Sequence, residues 1–225
     1  MFISDPLQFK DLWAEWVASI DQTNCTLLHD RTDAILYTCA TAFACAYDLY
    51  TPTSRKTPGT FFEVMIGSLL KHVTGLTRGY QIGIPGSDFK ITTDIYLVGG
   101  IGKPNLVIPT KITSRERIVQ AYTHQRILDN VFGRGIYKSI IVACSELQRD
   151  KDIGVNEICV PGQVQLYHKH LAQLYGLYYL DPPIAYTRPE FTAVVPVYPI
   201  SVLLTKHLHA LLNIMLPDVQ VHGIS

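Results

Sequence analysis

Asp94 stands in a β-branched run, Lys90 to Val98, and Lys111 closes a second apolar run, Asn105 to Ile112. A glycine-rich turn, Gly99-Gly100-Ile101-Gly102-Lys103-Pro104, joins the two. If the runs are strands of a hairpin, the carboxylate and the amine come within a few ångströms, because antiparallel neighbours lie about 4.8 Å apart. The strand period of two puts Lys111 on the same face as Pro109 and on the opposite face from Thr110. Such a pair suits phosphodiester cleavage. A hard divalent cation held by carboxylates neutralises charge at phosphorus and supplies the water. A neighbouring lysine orients or deprotonates that water and balances the developing charge.

The elements around the pair can be read from periodicity. The stretch 6–20, after Asp5-Pro6, spaces Leu12, Trp13, Trp16 and Ile20 on one helical face. Residues 32–50 form a second helix, apolar almost all round and expected to be largely buried. A polar loop, 51–60, carries Arg55 and Lys56. Thr60 caps a helix that ends at Gly75, with Phe62, Met65, Ile66, Leu69 and Leu70 as its core stripe and Glu63 one step aside. Strands are expected at 80–84, 89–98 and 105–112, the last interrupted by Pro109. Thr113 and Ser114 cap a helix over 115–131 that packs Ile118, Val119, Tyr122 and Ile127 inward. The continuous apolar run 137–144 reads as a buried, parallel central strand. A short strand at 156–160, a helix from Pro161 to Gly176, a strand at 177–180 and an apolar helix at 201–216 complete the chain. The fold class is α/β (α+β): a mixed central sheet flanked by helices, with extra N- and C-terminal helices. Residues 1–225 are expected to form one domain, with a core over about 60–180 and helical 1–50 and 200–225 serving support or dimerisation.

Net charge is zero over 225 residues, yet residues 103–138 hold seven basic side chains and two acids, a local charge of +5. Local sign decides where a polyanion docks. The five cysteines are odd in number and show no CxxC spacing, which favours reduced thiols over a disulfide framework or a zinc site. No apolar run reaches the ~20 residues of a membrane span, so a soluble, cytoplasmic protein without membrane contact is expected. The glycine turn is not a phosphate loop, because Leu97 and Pro104 occupy positions that need Gly and Ser/Thr; no nucleotide cofactor is expected. The alternating pairs His168/His170 and His207/His209 lack the helical i, i+4 spacing of metal ligands and read as surface or interface residues.

Over about 60–144 the order of elements, with Asp94, Lys111 and the segment KITSRERIVQAYTHQRILD, resembles the PD-(D/E)-X-K nucleases, in particular type II restriction endonucleases. The resemblance implies a restriction-endonuclease-like sheet and site-specific hydrolysis of double-stranded DNA with Mg²⁺, or Mn²⁺, as cofactor. It implies Asp94 as the metal-binding aspartate, Lys111 as the catalytic lysine and Glu63 as the auxiliary helix glutamate, with the Thr110 carbonyl as a backbone metal ligand. Thr93 replaces the usual proline, and Pro109 stands where the second acid is expected. The family relocates that acid, in some members, to the following helix, where this chain has Gln125; Glu116 is the nearest acid there. The shell is therefore Asp94 with Glu63 or Asp94 with Glu116.

On the DNA side, Ser114, Arg115, Arg117 and Arg126 are candidate phosphate contacts, and Gln120, His124 and Gln125 candidate readers of base edges. A homodimer follows from matching two-fold protein symmetry to a palindromic site, with the Trp13/Trp16 helix or 201–216 as its surface. Two rival readings accompany this one: a repair or Holliday-junction-resolving nuclease, and a non-catalytic DNA-binding α/β protein.

Overall fold

The computed structural model describes residues 32–50, 57–114, 117–149 and 155–212. Helices α1 (Thr32–Tyr50) and α2 (Thr57–Thr74) lead into β1 (Gly79–Gly83), β2 (Lys90–Leu97), β3 (Asn105–Ile108) and β4 (Thr110–Lys111). Helix α3 (Ile118–Phe132), β5 (Tyr137–Ala143), the hairpin β6 (Leu147–Arg149) and β7 (Val155–Glu157), and α4 (Pro161–His170) follow. Then come β8 (Gly176–Tyr179), the short α5 (Ile184–Thr187) and α6 (Pro189–Thr192), and β9 (Val197–Pro199). Contiguous helical pieces, Ile200–Val202, π-helical Leu203–His207 and Leu208–Leu212, end the described chain.

One seven-stranded mixed sheet organises these elements in the order β1-β2-β3-β5-β8-β9, with β4 paired to β5. The pairs β1–β2 and β2–β3 are antiparallel, and β3, β4, β8 and β9 join parallel neighbours. Strand β5 is central, and its stretch from Ile140 to Ala143 is apolar because both its faces are covered there. Its Ile140 and Val142 pack with α1, α2 and the C-terminal helical pieces, whereas Ile141 and Ala143 pack with α3, α4, α5 and α6. Helix α2 buries Phe62, Met65, Ile66 and Leu70, each worth about 1.5–3 kcal/mol in transfer terms. Gly75 ends α2 at φ 67°, its N–H donating to the Lys71 carbonyl at 2.8 Å, as the sequence predicts.

Several local expectations are corrected. Of α1, Leu36 and Ala40 are buried while Thr38, Thr41 and Ala42 are exposed, so the helix presents one edge to the core. The inward face of α3 is Ile118, Ala121, Tyr122, Gln125 and Leu128; Val119 and Ile127 are exposed. Helix α4 stops at His170, and buried Gly176 opens β8 instead of capping a helix. The apolar C-terminal helix lies in the protein's own core through Ile200, Leu203, Leu204, Leu208, Leu211 and Leu212, which removes its described part as a dimer surface. His168 is buried with Nδ1 3.5 Å from the Tyr122 hydroxyl. His207 sits 2.6 Å from the Tyr178 hydroxyl in an aromatic nest, not at the surface. Cys39, Cys144 and Cys159 carry free thiols. The Trp13/Trp16 helix, Arg55 and Lys56 lie outside the described residues.

Candidate active site

Strand alternation places the two candidate residues together. Ile95 and Leu97 of β2, with Ile108 and the partly buried Ile112, pack toward α2. Tyr96 and Val107 belong to the cluster that meets Leu128 of α3. By the period of two, Asp94 and Lys111 therefore face the α3 side. Lys111 Nζ donates to Asp94 Oδ2 at 2.8 Å, with the two side chains 16% and 28% exposed. For a pair this far buried, desolvation offsets much of the attraction, so the contact is weak evidence for a stabilising device.

Pro109 shapes this corner. The β2–β3 ladder closes at Ile95 and Ile108, one residue short of where Asp94 would meet Pro109. The proline also splits β3 from β4, and its carbonyl accepts from Val142 N at 3.0 Å. Thr110 N–H then turns to Asp94 Oδ2 at 2.7 Å, with the Thr110 hydroxyl at 3.4 Å from the same oxygen. Pro109 and Lys111 direct their carbonyls at β5, so alternation turns the Thr110 carbonyl away from β5, the side on which its N–H meets Asp94. All three donors use Oδ2; among the described residues Asp94 Oδ1 accepts none.

Around the pair lies a small pocket lined by Thr92, Asp94, Lys111, Arg117, Gln120 and His124, among others. Arg117, Gln120 and His124 recur at helical spacing on one face of α3 and its entry. Burial first, then the charge on Lys111, lowers the His124 pKa, against an opposing pull from Asp94. Glu63, on α2, does not line this pocket but is near enough to feel its charges. Burial raises its pKa, the Asp94 charge raises it further, and Arg78 and Lys111 oppose both. Arg78 lies against Gly67, one turn beyond Glu63 on α2, where an added Cβ would stand 2.1 Å from Nη1.

The predicted site residues divide. Asp94, Lys111, Arg117, Gln120 and His124 line one pocket, the Thr110 N–H donates to Asp94, and Glu63 does not line that pocket but senses the Asp94 charge. Gln125 does not line the pocket: it is buried, its amide N donating to Asp129 (2.7 Å) and to the Tyr137 carbonyl (3.1 Å), its oxygen accepting from Ser139 N (2.7 Å). The α3 residue turned to the site is His124. Arg126 lies on the opposite face of α3 and lines a separate cavity. Ser114 is fully buried, its hydroxyl donating to Glu146 rather than capping α3, while its carbonyl accepts the Arg117 N–H at 3.0 Å. Arg115 and Glu116 lie outside the described residues.

A residue with no sequence signal emerges here. Glu146, 1% exposed, accepts Ser114 N–H through both carboxylate oxygens at 3.0 Å and the Tyr179 hydroxyl at 2.8 Å. It anchors the chain immediately before Arg115. Only the pairing of β5 with both β4 and β8 brings these three residues together.

No protein-family model matches the sequence, and no curated protein matches it either. Among solved structures, the type IIP restriction endonuclease Kpn2I superposes with a TM-score of 0.75 at 33% identity, covering 94% of this chain and 74% of that one. The chain belongs to the type II restriction endonucleases. The fold is shared more distantly with the restriction endonuclease PspGI, whose structure was solved with its substrate DNA: TM-score 0.57, 15% identity, 91% of this chain and 93% of that one. This endonuclease accordingly has the mixed, helix-flanked sheet that its sequence implies. Among the described residues no helix is long and apolar enough to cross a membrane.

Proposed function

We propose that the protein is a Mg²⁺-dependent type II restriction endonuclease that hydrolyses phosphodiester bonds of double-stranded DNA at a short, specific, palindromic sequence as a homodimer. The observation that carries this reading is the partly buried Asp94–Lys111 contact on one sheet face, with one carboxylate oxygen that accepts no donor among the described residues. Family membership supports the chemistry, and the complex of PspGI with its substrate DNA supports the partner.

The donor set fits a hard cation. Among the described residues no donor engages Asp94 Oδ1, and Glu63 is close enough for the Asp94 charge to raise its pKa, a repulsion that a bound cation relieves. No group of three His, Cys, Asp or Glu side chains among the described residues encloses such an ion. Asp94, Glu63 and the Thr110 carbonyl would hold it, with water and substrate phosphate completing the shell, as is usual for Mg²⁺. When bound, the ion neutralises charge at phosphorus and lowers the pKa of the attacking water. Mn²⁺ suits the same oxygen donors.

The chain's own residues do the rest. Lys111 directs one of its three N–H donors at Asp94; the others remain for the attacking water and a phosphoryl oxygen. The water oxygen attacks phosphorus and releases a proton to solvent, the opposite P–O ester bond breaks, and the leaving oxygen takes up a proton from solvent. Arg117, exposed at the rim, meets the phosphate, and Gln120, beside it in the pocket lining, reads a base edge.

Incubating the purified protein with phage DNA and Mg²⁺ tests the reading. Discrete fragments are expected, with Asp94→Ala and Lys111→Ala each slowing cleavage by about 10²–10³-fold or more. Cleavage confined to branched DNA would replace it with a junction-resolving role. No cleavage with either Mg²⁺ or Mn²⁺ would overturn it.

A further inference from the structure

A cavity of about 530 Å³ opens at the other end of α3 and β5 from Asp94. Its wall carries four cations, Arg126, Arg134, Lys138 and Lys169, and a single acid, Asp129, whose carboxylate already accepts from Gln125. Among the described residues none of the four forms an ion pair. Lys138 lies over the Tyr175 ring, 4.9 Å from its centroid. In a chain of zero net charge, four cations around one hollow, none in an ion pair among the described residues, repel one another, and only the Lys138–Tyr175 contact offsets the cost of gathering them.

The backbone also presents Arg134 deliberately. It sits between Gly133 (φ 92°) and Gly135 (φ 87°), conformations that non-glycine residues rarely adopt, in the turn joining α3 to β5. The hollow is distinct from the catalytic pocket. Lys111 pairs beside Ala143, whereas Lys138 enters β5 five residues earlier, about 17 Å away at ~3.3 Å per residue. Arg126 also lies on the face of α3 opposite Arg117 and His124.

We infer that this hollow is a second phosphodiester-backbone site, holding DNA apart from the strand being cut. Cations without acid partners recognise a polyanion by releasing its counterions, and a lysine lying over an aromatic ring suits a sugar–phosphate chain with bases beside it. The choice of DNA over another polyanion rests on the nuclease reading; the anion site itself does not.

The test uses the full chain and a triple variant, Arg126→Ala/Arg134→Ala/Lys169→Ala, three exposed residues whose loss should leave the melting temperature unchanged. Binding of a long random-sequence duplex is measured against salt without divalent cation, and photo-cross-linked peptides are mapped. The expected result is a slope of log K against log salt shallower by about 2–3, at about 0.9 per lost phosphate contact, with wild-type cross-links in 126–138 and 169–175. An unchanged slope overturns the proposal. So does loss of poly-L-glutamate binding with DNA binding intact, which would make this an acidic-polypeptide site. A folded variant that loses cleavage of a minimal cognate duplex also overturns it, because the cations would then belong to the catalytic surface. Cleavage without a slope change refutes this inference alone; a slope change without cleavage refutes the nuclease reading alone.

Discussion

Two carboxylates grip the same short stretch of chain, and they do so in opposite ways. Asp94 accepts the N–H of Thr110 and Glu146 accepts the N–H of Ser114, four residues on. Glu146 is buried, with both oxygens occupied by backbone and hydroxyl donors. Asp94 is 28% exposed, with all its donors on one oxygen. A carboxylate whose acceptor sites are used up inside the protein is part of the scaffold; one with acceptor sites left facing a pocket is available for chemistry.

Truncating each tests the distinction most severely. Glu146→Ala strands the Ser114 N–H in a dry site and should cost about 3 kcal/mol. For a domain of this size that lowers the melting temperature by about 6–12 °C. DNA affinity should fall with it, because Ser114 leads directly into Arg115 and Arg117. Asp94→Asn should change stability by less than about 1 kcal/mol while abolishing cleavage. Denaturant melts of both variants decide the matter: comparable losses of stability would erase the contrast and return Asp94 to the scaffold.

The Asp94 half of this comparison is legible in the sequence; the Glu146 half is not. Asp94 and Lys111 stand on neighbouring runs joined by a recognisable turn, so strand alternation alone puts them on one face. The buried run of β5 and the glycine end of α2 are equally local signals. Glu146 carries none, since its partners Ser114 and Tyr179 are 32 and 33 residues away and meet it only through parallel pairing. The face of α3 is misread for a related reason. Gln125 is polar but satisfies a turn and a strand end from inside the core, whereas Val119 and Ile127 are apolar and exposed. Counting apolar residues cannot reveal a glutamine that substitutes for backbone partners. Pro109 is informative in both settings: in the sequence it marks a missing acid, and in the structure it frees the Thr110 N–H that Asp94 takes.

That missing acid supplies the next test. His124, not Gln125, is the α3 residue turned to the pocket, and its lowered pKa leaves it neutral at pH 7. His124→Glu adds a carboxylate beside the proposed metal shell, which lacks oxygen on this side. The Mg²⁺ midpoint should fall by about tenfold, equivalent to about 1.4 kcal/mol, read by calorimetric titration of the protein without DNA. An unchanged midpoint would show that this face of α3 does not reach the ion.

Glu63 gives the smallest effect and the finest distinction between the two carboxylates. Its pKa is raised, by burial and by the Asp94 charge, so the folded state binds a proton more readily than the unfolded chain. The stability linked to that proton is present below the unfolded pKa, near 4.5, and is lost as pH rises through the folded value. Glu63→Gln removes the titration. The variant should therefore be more stable than wild type at pH 7–8, by less than about 1 kcal/mol because the group is half exposed, and the difference should vanish toward pH 4. Saturating Mg²⁺ at pH 7–8 should stabilise wild type more than the variant, since only wild type offers a second carboxylate to the ion. If the difference between the proteins is flat from pH 4 to 8, Glu63 does not sense Asp94, and the unused Oδ1 would have to meet its cation with Asp94 as the sole side-chain donor.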